Sequence, residues 1–255
     1  MAVKKEHFGR MADGREISLY TIDNGTVSAS FTDLGAVWVS MMVPDRNGDL
    51  ADVLLGYDDA EGYLVNGPHF GSIVGRIANR TGGASFTLNG TSYVLGKNKG
   101  ENNLHSGPDY YDRRLWAARE VGEDSVVFLL DSPDGDQGYP GDLNAEVVYD
   151  WSDDCELEIT YYAKTTAPTI INLTNHSYFN LKGVDDGGYV MDHVMQVEAD
   201  RYLPNDARFV PLGPSEPVEG TPFDLREPHR VDYAIDTPNE HLRTMRGFSV
   251  CWMLH

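Results

Sequence analysis

Short runs of alternating apolar and polar residues, each closed by turn-forming residues, recur along this chain: ISLYTIDNG, TVSASFTDLG, ASFTLNGTSYVL, SVVFLLDSPDG, LNAEVVYDWSDD and CELEITYYAKT. Side chains of a strand point alternately to its two faces, so a period of two builds a sheet with one buried and one solvated face, the mark of antiparallel pairing. Asn24-Gly25 and Asn89-Gly90 are dipeptides that supply positive φ in two-residue hairpins, and Asp134-Gly135 is expected to serve the same end. No stretch of a dozen residues carries a clear 3.6-residue period, which argues against βαβ crossovers and a Rossmann-type site. The predicted fold is an all-β sandwich. No repeat, low-complexity tract or Pro/Ser-rich linker divides the 255 residues, so a single domain over 1–255 is expected. FVPLGPSEPVEGTPFDLREP is a long proline-broken connection of the kind that often carries function.

The end of the chain is unusual. MRGFSVCWMLH is an apolar, strand-like run with no turn, charge or polar tail behind it, and an unpaired apolar edge invites aggregation. The sandwich is therefore expected to be incomplete at its C-terminus, with further strands encoded past His255.

Charge narrows the partners. With 20 Lys+Arg against 40 Asp+Glu, the formal charge of -20 repels nucleic acid backbones and anionic lipid surfaces. A neutral polar substrate such as a sugar is compatible with that field without being indicated by it. Cys155 and Cys251 are too few for a disulfide framework and lack zinc-site spacing, so both are expected in the core. The N-terminus MAVKKEHFGRMADGRE has no apolar signal core, and no apolar run approaches the roughly 18 residues of a membrane span. The chain reads as cytoplasmic, which would leave the sequons at Asn24, Asn89, Asn172 and Asn175 unused. Oligomeric state is left open.

Two motif templates fail. DSPDGDQGYPG crowds Asp131, Asp134 and Asp136 around Gly135, but it lacks the alternating oxygen ligands and distal glutamate of a calcium loop and reads as a hairpin loop. GSIVGRIANR has Gly71 and Gly75 but no Lys-Ser/Thr after them, so it is not a phosphate-binding loop. Neither points to a metal.

Three other segments gather hydrogen-bonding groups beside glycine-rich turns: GRIANRTGG with Asn79 and Arg80, NKGENNLHSGP with His105, and TIINLTNHSYFNLKG with His176. The last reads as an apolar strand leaving for a turn, with Asn172, Asn175, His176 and Ser177 set into it. A lone histidine is commonly structural, its ring satisfied by a backbone carbonyl. Burying Asn, Arg and His together costs a few kcal/mol per unpaired group, so a fold that gathers them should offer a partner, and a polyhydroxylated ligand is one.

The segments GRIANR, NNLHSG, a Trp, DSPDGDQGYPGDL, TNHSYFNL and GTPFDLREP follow one another in the order seen in aldose 1-epimerases, and from about Gly14 to Leu254 the chain resembles that family. The resemblance implies a large antiparallel β-supersandwich, no cofactor, and interconversion of the α and β anomers of free aldoses such as glucose and galactose. It implies that His176 is the general acid on the ring oxygen O5, and that His105 is a second histidine near that oxygen and the hydroxyls. Asn79 and Arg80 become hydroxyl-binding donors. Asp224 of PFDLR becomes a carboxylate that grips sugar hydroxyls, against the plainer alternative of a loop cap.

Departures from the family matter as well. The glutamate that deprotonates the C1 hydroxyl in aldose 1-epimerases lies past the position matching Leu254, so these 255 residues have no counterpart to it. GFSVCWML resembles a Gly-aromatic-Asp-His stretch, but Ser249 and Val250 stand where Asp and His are expected. Glu240 has no motif support as a substitute base. General acid catalysis without its paired base is expected to forfeit about 10²- to 10⁴-fold in rate. The alternative reading is a non-catalytic carbohydrate-binding β-sandwich, and a third is a structural β-domain of a larger carbohydrate enzyme. The ordered Asn-Arg, His, His, Asp set argues against the third.

Overall fold

The computed structural model, which describes residues 3–121, 123–152, 156–185 and 188–255, turns the period-two runs into strands. Strands hold 41% of the residues and helices 11%, the balance of an all-β protein. The chain packs as two compact units, Met1–Gly187 and Gly188–His255. The division falls in VDDGGY, a run of acidic residues and glycines with little apolar surface to join a core.

In the first unit, β1 (Lys4–Arg10), β2 (Glu16–Asp23), β3 (Ser28–Thr32), β4 (Val37–Pro44) and β5 (Leu50–Asp52) form an antiparallel sheet in sequence order. The short helix α1 (Ala60–Val65) follows, its first turn capped by the Asp59 carboxylate, which accepts from the Gly62 amide at 3.0 Å. Five short strands follow: β6 (Ile73–Val74), β7 (Arg80–Thr81), the β8 (Ser85–Leu88) and β9 (Thr91–Val94) hairpin, and β10 (Asn103–Leu104), which pairs with β7. A second antiparallel sheet, again in sequence order, contains β11 (Ala117–Val121), β12 (Ser125–Ser132), β13 (Leu143–Trp151) and β14 (Leu157–Thr165). Last comes β15 (Thr174–Asn175), which pairs with β6.

The two larger sheets share one core. Along β13, Leu143, Ala145, Val147, Tyr149 and Trp151 are buried while Asn144 and Asp150 are exposed, so the alternation written in the sequence is the packing. Those residues meet Tyr20, Phe31 and Trp38 of the first sheet: Phe31 stacks on Tyr149 with centroids 4.2 Å apart, and Tyr20 meets Phe128 edge-on at 5.7 Å. The Tyr149 hydroxyl is buried between them and donates to the Ala36 carbonyl at 2.8 Å.

Turn predictions divide. Asn89 (φ 51) and Gly90 (φ 80) form the expected two-residue turn, with Leu88 paired to Thr91 across it. Asn24-Gly25 does not. Residues 24–27 form a four-residue loop in which the Asn24 side-chain oxygen accepts from the amides of Thr26 and Val27, both at 2.9 Å, and only Gly25 has positive φ. Asp134-Gly135 likewise lies in a longer loop, residues 133–142. There the Asp134 carboxylate takes the Gly141 amide at 2.5 Å, while Asp136 takes Ser132 at 2.5 Å and Arg114 at 2.7 and 2.9 Å. Carboxylates bound to the protein's own donors hold the loop open. The strand expected over TIINLTNHSYFNLKG shrinks to Thr174–Asn175, because the Asn175 amide side chain donates to the Gly71 carbonyl (2.9 Å) and accepts from the Ser177 amide (3.0 Å), competing with ladder pairing.

The second unit has β16 (Val194–Met195), β17 (Ala199–Leu203), β18 (Glu216–Pro217) and β19 (His229–Arg230), then the short helices α2 (Tyr233–Asp236) and α3 (Glu240–Met245), then β20 (Cys251–Leu254). Its core gathers Tyr202, Val218, Phe223, Ala234 and Leu242, with Phe248, Val250 and Trp252 against them. The final apolar run is a strand, as its composition predicts, and β17 is its partner. Cys251 corrects the expectation of a buried thiol: it is exposed, because Trp252 takes the inward face of β20 and donates its indole N–H to the Phe223 carbonyl at 2.9 Å. Cys155 lies outside the described residues. No helix among the described residues is long and apolar enough to cross a membrane.

Candidate active site

Two short strand pairs of the first unit bring its polar segments together. Pairing of β6 with β15 aligns the residues just outside it, so the His176 amide donates to the Ser72 carbonyl at 2.8 Å and the Gly71 amide to the His176 carbonyl at 3.1 Å. Pairing of β7 with β10 does the same for Asn79 and His105. The His105 amide donates to the Asn79 carbonyl at 3.0 Å, and the Asn79 amide donates to His105 Nδ1 at 3.0 Å. Both residues have positive φ, 65° and 53°, a conformation that Asn and His adopt more readily than most side chains. The imidazoles of His105 and His176 come to lie 5.3 Å apart.

Asn79 also orients Arg80. Its side-chain oxygen accepts from the Arg80 amide at 2.8 Å and from Arg80 Nη1 at 3.2 Å. Asn79, Arg80, His105 and His176, four residues predicted from separate motifs, thus belong to one cluster.

The cluster holds a third imidazole that the sequence reading did not select. His69 is 5.0 Å from His105 and 5.9 Å from His176 between ring centroids, and its Nδ1 lies 2.5 Å from Asp112 Oδ2. Tyr110 packs edge-on against His69 at 4.9 Å, and Tyr178 lies tilted against His176 at 5.2 Å. The available signal was weak: His69 sits in NGPHFGS among turn residues, and Asp112 in PDYYDRR, 43 positions away, with no shared motif.

Burial lowers the proton affinity of His105 and His176. His105 is pushed down to about 3, chiefly by burial and further by the nearby His176, His69 and Arg80. His176 is also lowered, again chiefly by burial, with its own backbone hydrogen bond and Asp112 acting the other way. Because His105 Nδ1 accepts an amide hydrogen bond, its proton sits on Nε2, and the ring presents a donor. A cluster of donors and acceptors flanked by aromatic rings suits hydroxyl recognition, and an imidazole within it can carry a proton to or from a ligand.

Asp224 belongs to the second unit. Its carboxylate forms a forked pair with Arg226, Oδ1 to Nε at 2.9 Å and Oδ2 to Nη2 at 2.7 Å, which holds it below the usual carboxylate range. It borders a cavity of about 510 Å³ with Thr221, Glu227, His229 and Tyr233. Glu240, dismissed as a base on sequence grounds, opens α3 and borders a different cavity with Asp206 and His241.

A family model described as "Aldose 1-epimerase" matches residues 18–248. Galactose mutarotase of Mus musculus is 40% identical over 241 residues, covering 92% of this chain and 70% of the relative. Galactose mutarotase of Bos taurus is 40% identical over 229 residues, covering 89% of this chain and 66% of the relative. The crystal structure of galactose 1-epimerase from Lactobacillus acidophilus NCFM superposes with a TM-score of 0.89 at 25% identity, covering all of this chain and 74% of that one. The chain belongs to the aldose 1-epimerase family, a family of isomerases with a galactose mutarotase-like all-β fold. It spans about two thirds of the length of these two curated relatives.

Proposed function

We propose that this protein acts on free aldohexoses, glucose and galactose among them, and interconverts their α and β anomers. The observation that carries the proposal is the pair of imidazoles, His105 and His176, 5.3 Å apart beside Asn79 and the Arg80 guanidinium. Opening a pyranose requires a proton delivered to O5 as the C1 hydroxyl loses one; the C1–O5 bond breaks and the C1 aldehyde forms. His176, in its imidazolium form, supplies the O5 proton and is left neutral; its lowered proton affinity makes that cation a ready donor. Rotation about C1–C2 and reclosure on the other face return that proton to His176 and give the other anomer. His105, with Nδ1 held by the Asn79 amide, turns its Nε2–H toward the ring, and Arg80 binds hydroxyls. Asp224 is assigned to hydroxyl binding on the family resemblance.

The family resemblance puts the C1 proton acceptor past the position matching Leu254, so residues 1–255 assayed alone are expected to supply the acid half with water as the base. They are expected to fall about 10²- to 10⁴-fold short of a complete enzyme. The same donors would also serve a carbohydrate-binding domain that does no chemistry.

Polarimetry of freshly dissolved α-D-galactose separates the two readings. The 255-residue polypeptide should hasten the approach to equilibrium without moving its endpoint, and His176→Ala should remove most of that acceleration. Sugar binding by calorimetry with no acceleration at any enzyme concentration would favour the binding domain. Absence of both would end the sugar-site reading.

A further inference from the structure

Asp112 is the most deeply buried carboxylate beside the imidazole cluster, with its side chain 1% exposed. One oxygen lies 2.5 Å from His69 Nδ1, and the other, Oδ1, is buried with no hydrogen-bond partner. A carboxylate held this way is costly to bury and has one neighbour to serve. An ionised carboxylate only accepts, so the bond puts a proton on His69 Nδ1, and in the neutral form of the ring Nε2 keeps its lone pair. That nitrogen makes no hydrogen bond within the described residues and is not sealed from the surface. His105 has the opposite arrangement: its Nδ1 accepts from the Asn79 amide, so its Nε2 donates. Two rings 5.0 Å apart therefore present one acceptor and one donor. A sugar hydroxyl both donates and accepts, and two adjacent hydroxyls match such a pair.

We propose that His69 is a further substrate-binding residue, its Nε2 accepting a hydrogen bond from one hydroxyl of the sugar, and that Asp112 is a positioning residue that sets its tautomer. The proposal rests on the sugar-site reading above. It adds a requirement that the family motifs did not supply: one ligand hydroxyl must act as a donor to the protein at this point.

The test begins with the unaltered protein labelled with ¹⁵N-histidine. His69 should show a protonated Nδ1 and a bare Nε2, and added D-galactose should move the Nε2 resonance toward the hydrogen-bonded range. Calorimetry then compares D-galactose with its 2-, 3-, 4- and 6-deoxy analogues on wild type and His69→Phe. The variant should bind galactose about tenfold more weakly, the equivalent of about 1.4 kcal/mol. One deoxy analogue should bind wild type and variant alike, because the hydroxyl and its acceptor are then both missing. Asp112→Asn, which lets the side chain donate to Nδ1, should shift His69 toward the Nε2–H form and weaken galactose as well. A wild-type His69 carrying its proton on Nε2 overturns the proposal whatever the variants do. So does a folded His69→Phe that keeps the wild-type affinity and the wild-type response to every deoxy sugar. If wild type binds no sugar at all, the sugar-site reading fails first and this inference falls with it.

Discussion

Replacing His105 by asparagine should flatten the protein's response to acid. Asparagine tolerates the φ of 53° at this position and offers an oxygen to the Asn79 amide in place of Nδ1, so the backbone and its hydrogen bond are kept. The titrating ring is what changes. In the folded protein His105 is pushed down to about 3 from an ordinary 6.5. Between those values the unfolded chain takes up a proton that the folded protein refuses. The contribution to stability is therefore fully present above pH 6.5 and is lost as pH falls toward 3. From pH 7 to pH 5 the loss is about 2 kcal/mol at about 1.4 kcal/mol per pH unit below the unfolded value. His176, also lowered, adds a loss in the same direction that wild type and variant share. Thermal unfolding at pH 7, 6 and 5 should show wild type losing more than His105→Asn by about 2 kcal/mol, or about 4–8 °C of Tm. Wild-type and variant curves that run parallel from pH 7 to pH 5 would refute the burial of a neutral His105.

Three further substitutions probe the scaffold and the remaining site residue. Tyr149→Phe removes the donor to the buried Ala36 carbonyl and an acceptor for the Asn175 side chain; urea unfolding should register a loss of about 1–3 kcal/mol. Gly71→Ala places a Cβ against the Trp38 carbonyl oxygen at a φ of 61°, where the glycine also donates to His176 and accepts from Asn175. It should lower Tm and abolish galactose binding together, and a stable variant with intact binding would show that Gly71 does not set the His176 backbone. Asp224→Asn keeps the side chain's shape while weakening the pair with Arg226; if Asp224 binds sugar, KM should rise several-fold with kcat little changed, and an unchanged KM would restrict Asp224 to its structural partner.

Much of this protein was legible in its sequence because period-two alternation is a local property. The strand runs at 16–23, 125–132, 143–151 and 157–165, and the Asn89-Gly90 turn, depend on residues that are close neighbours along the chain. The Asn24-Gly25 and Asp134-Gly135 loops escaped because side-chain oxygens captured backbone amides, and for Asp136 a distant arginine, which a dipeptide rule does not count. His105 and His176 could be named from motif resemblance, with Asn79 and Arg80 beside them.

What the sequence by itself determined was the all-β class, the alternation that selects the core face, and the identity of four clustered polar residues of the site. Tertiary structure alone decided the hydrogen-bond partners that set the tautomers of His105 and His69. For His105 the partner is an amide 26 positions away, and for His69 a carboxylate 43 positions away. It also brought His69 beside the other two imidazoles and buried His105 and His176 enough to lower their proton affinity. Tautomer and proton affinity follow from what surrounds a ring in space, and strand pairing brings those surroundings together from segments far apart in the chain.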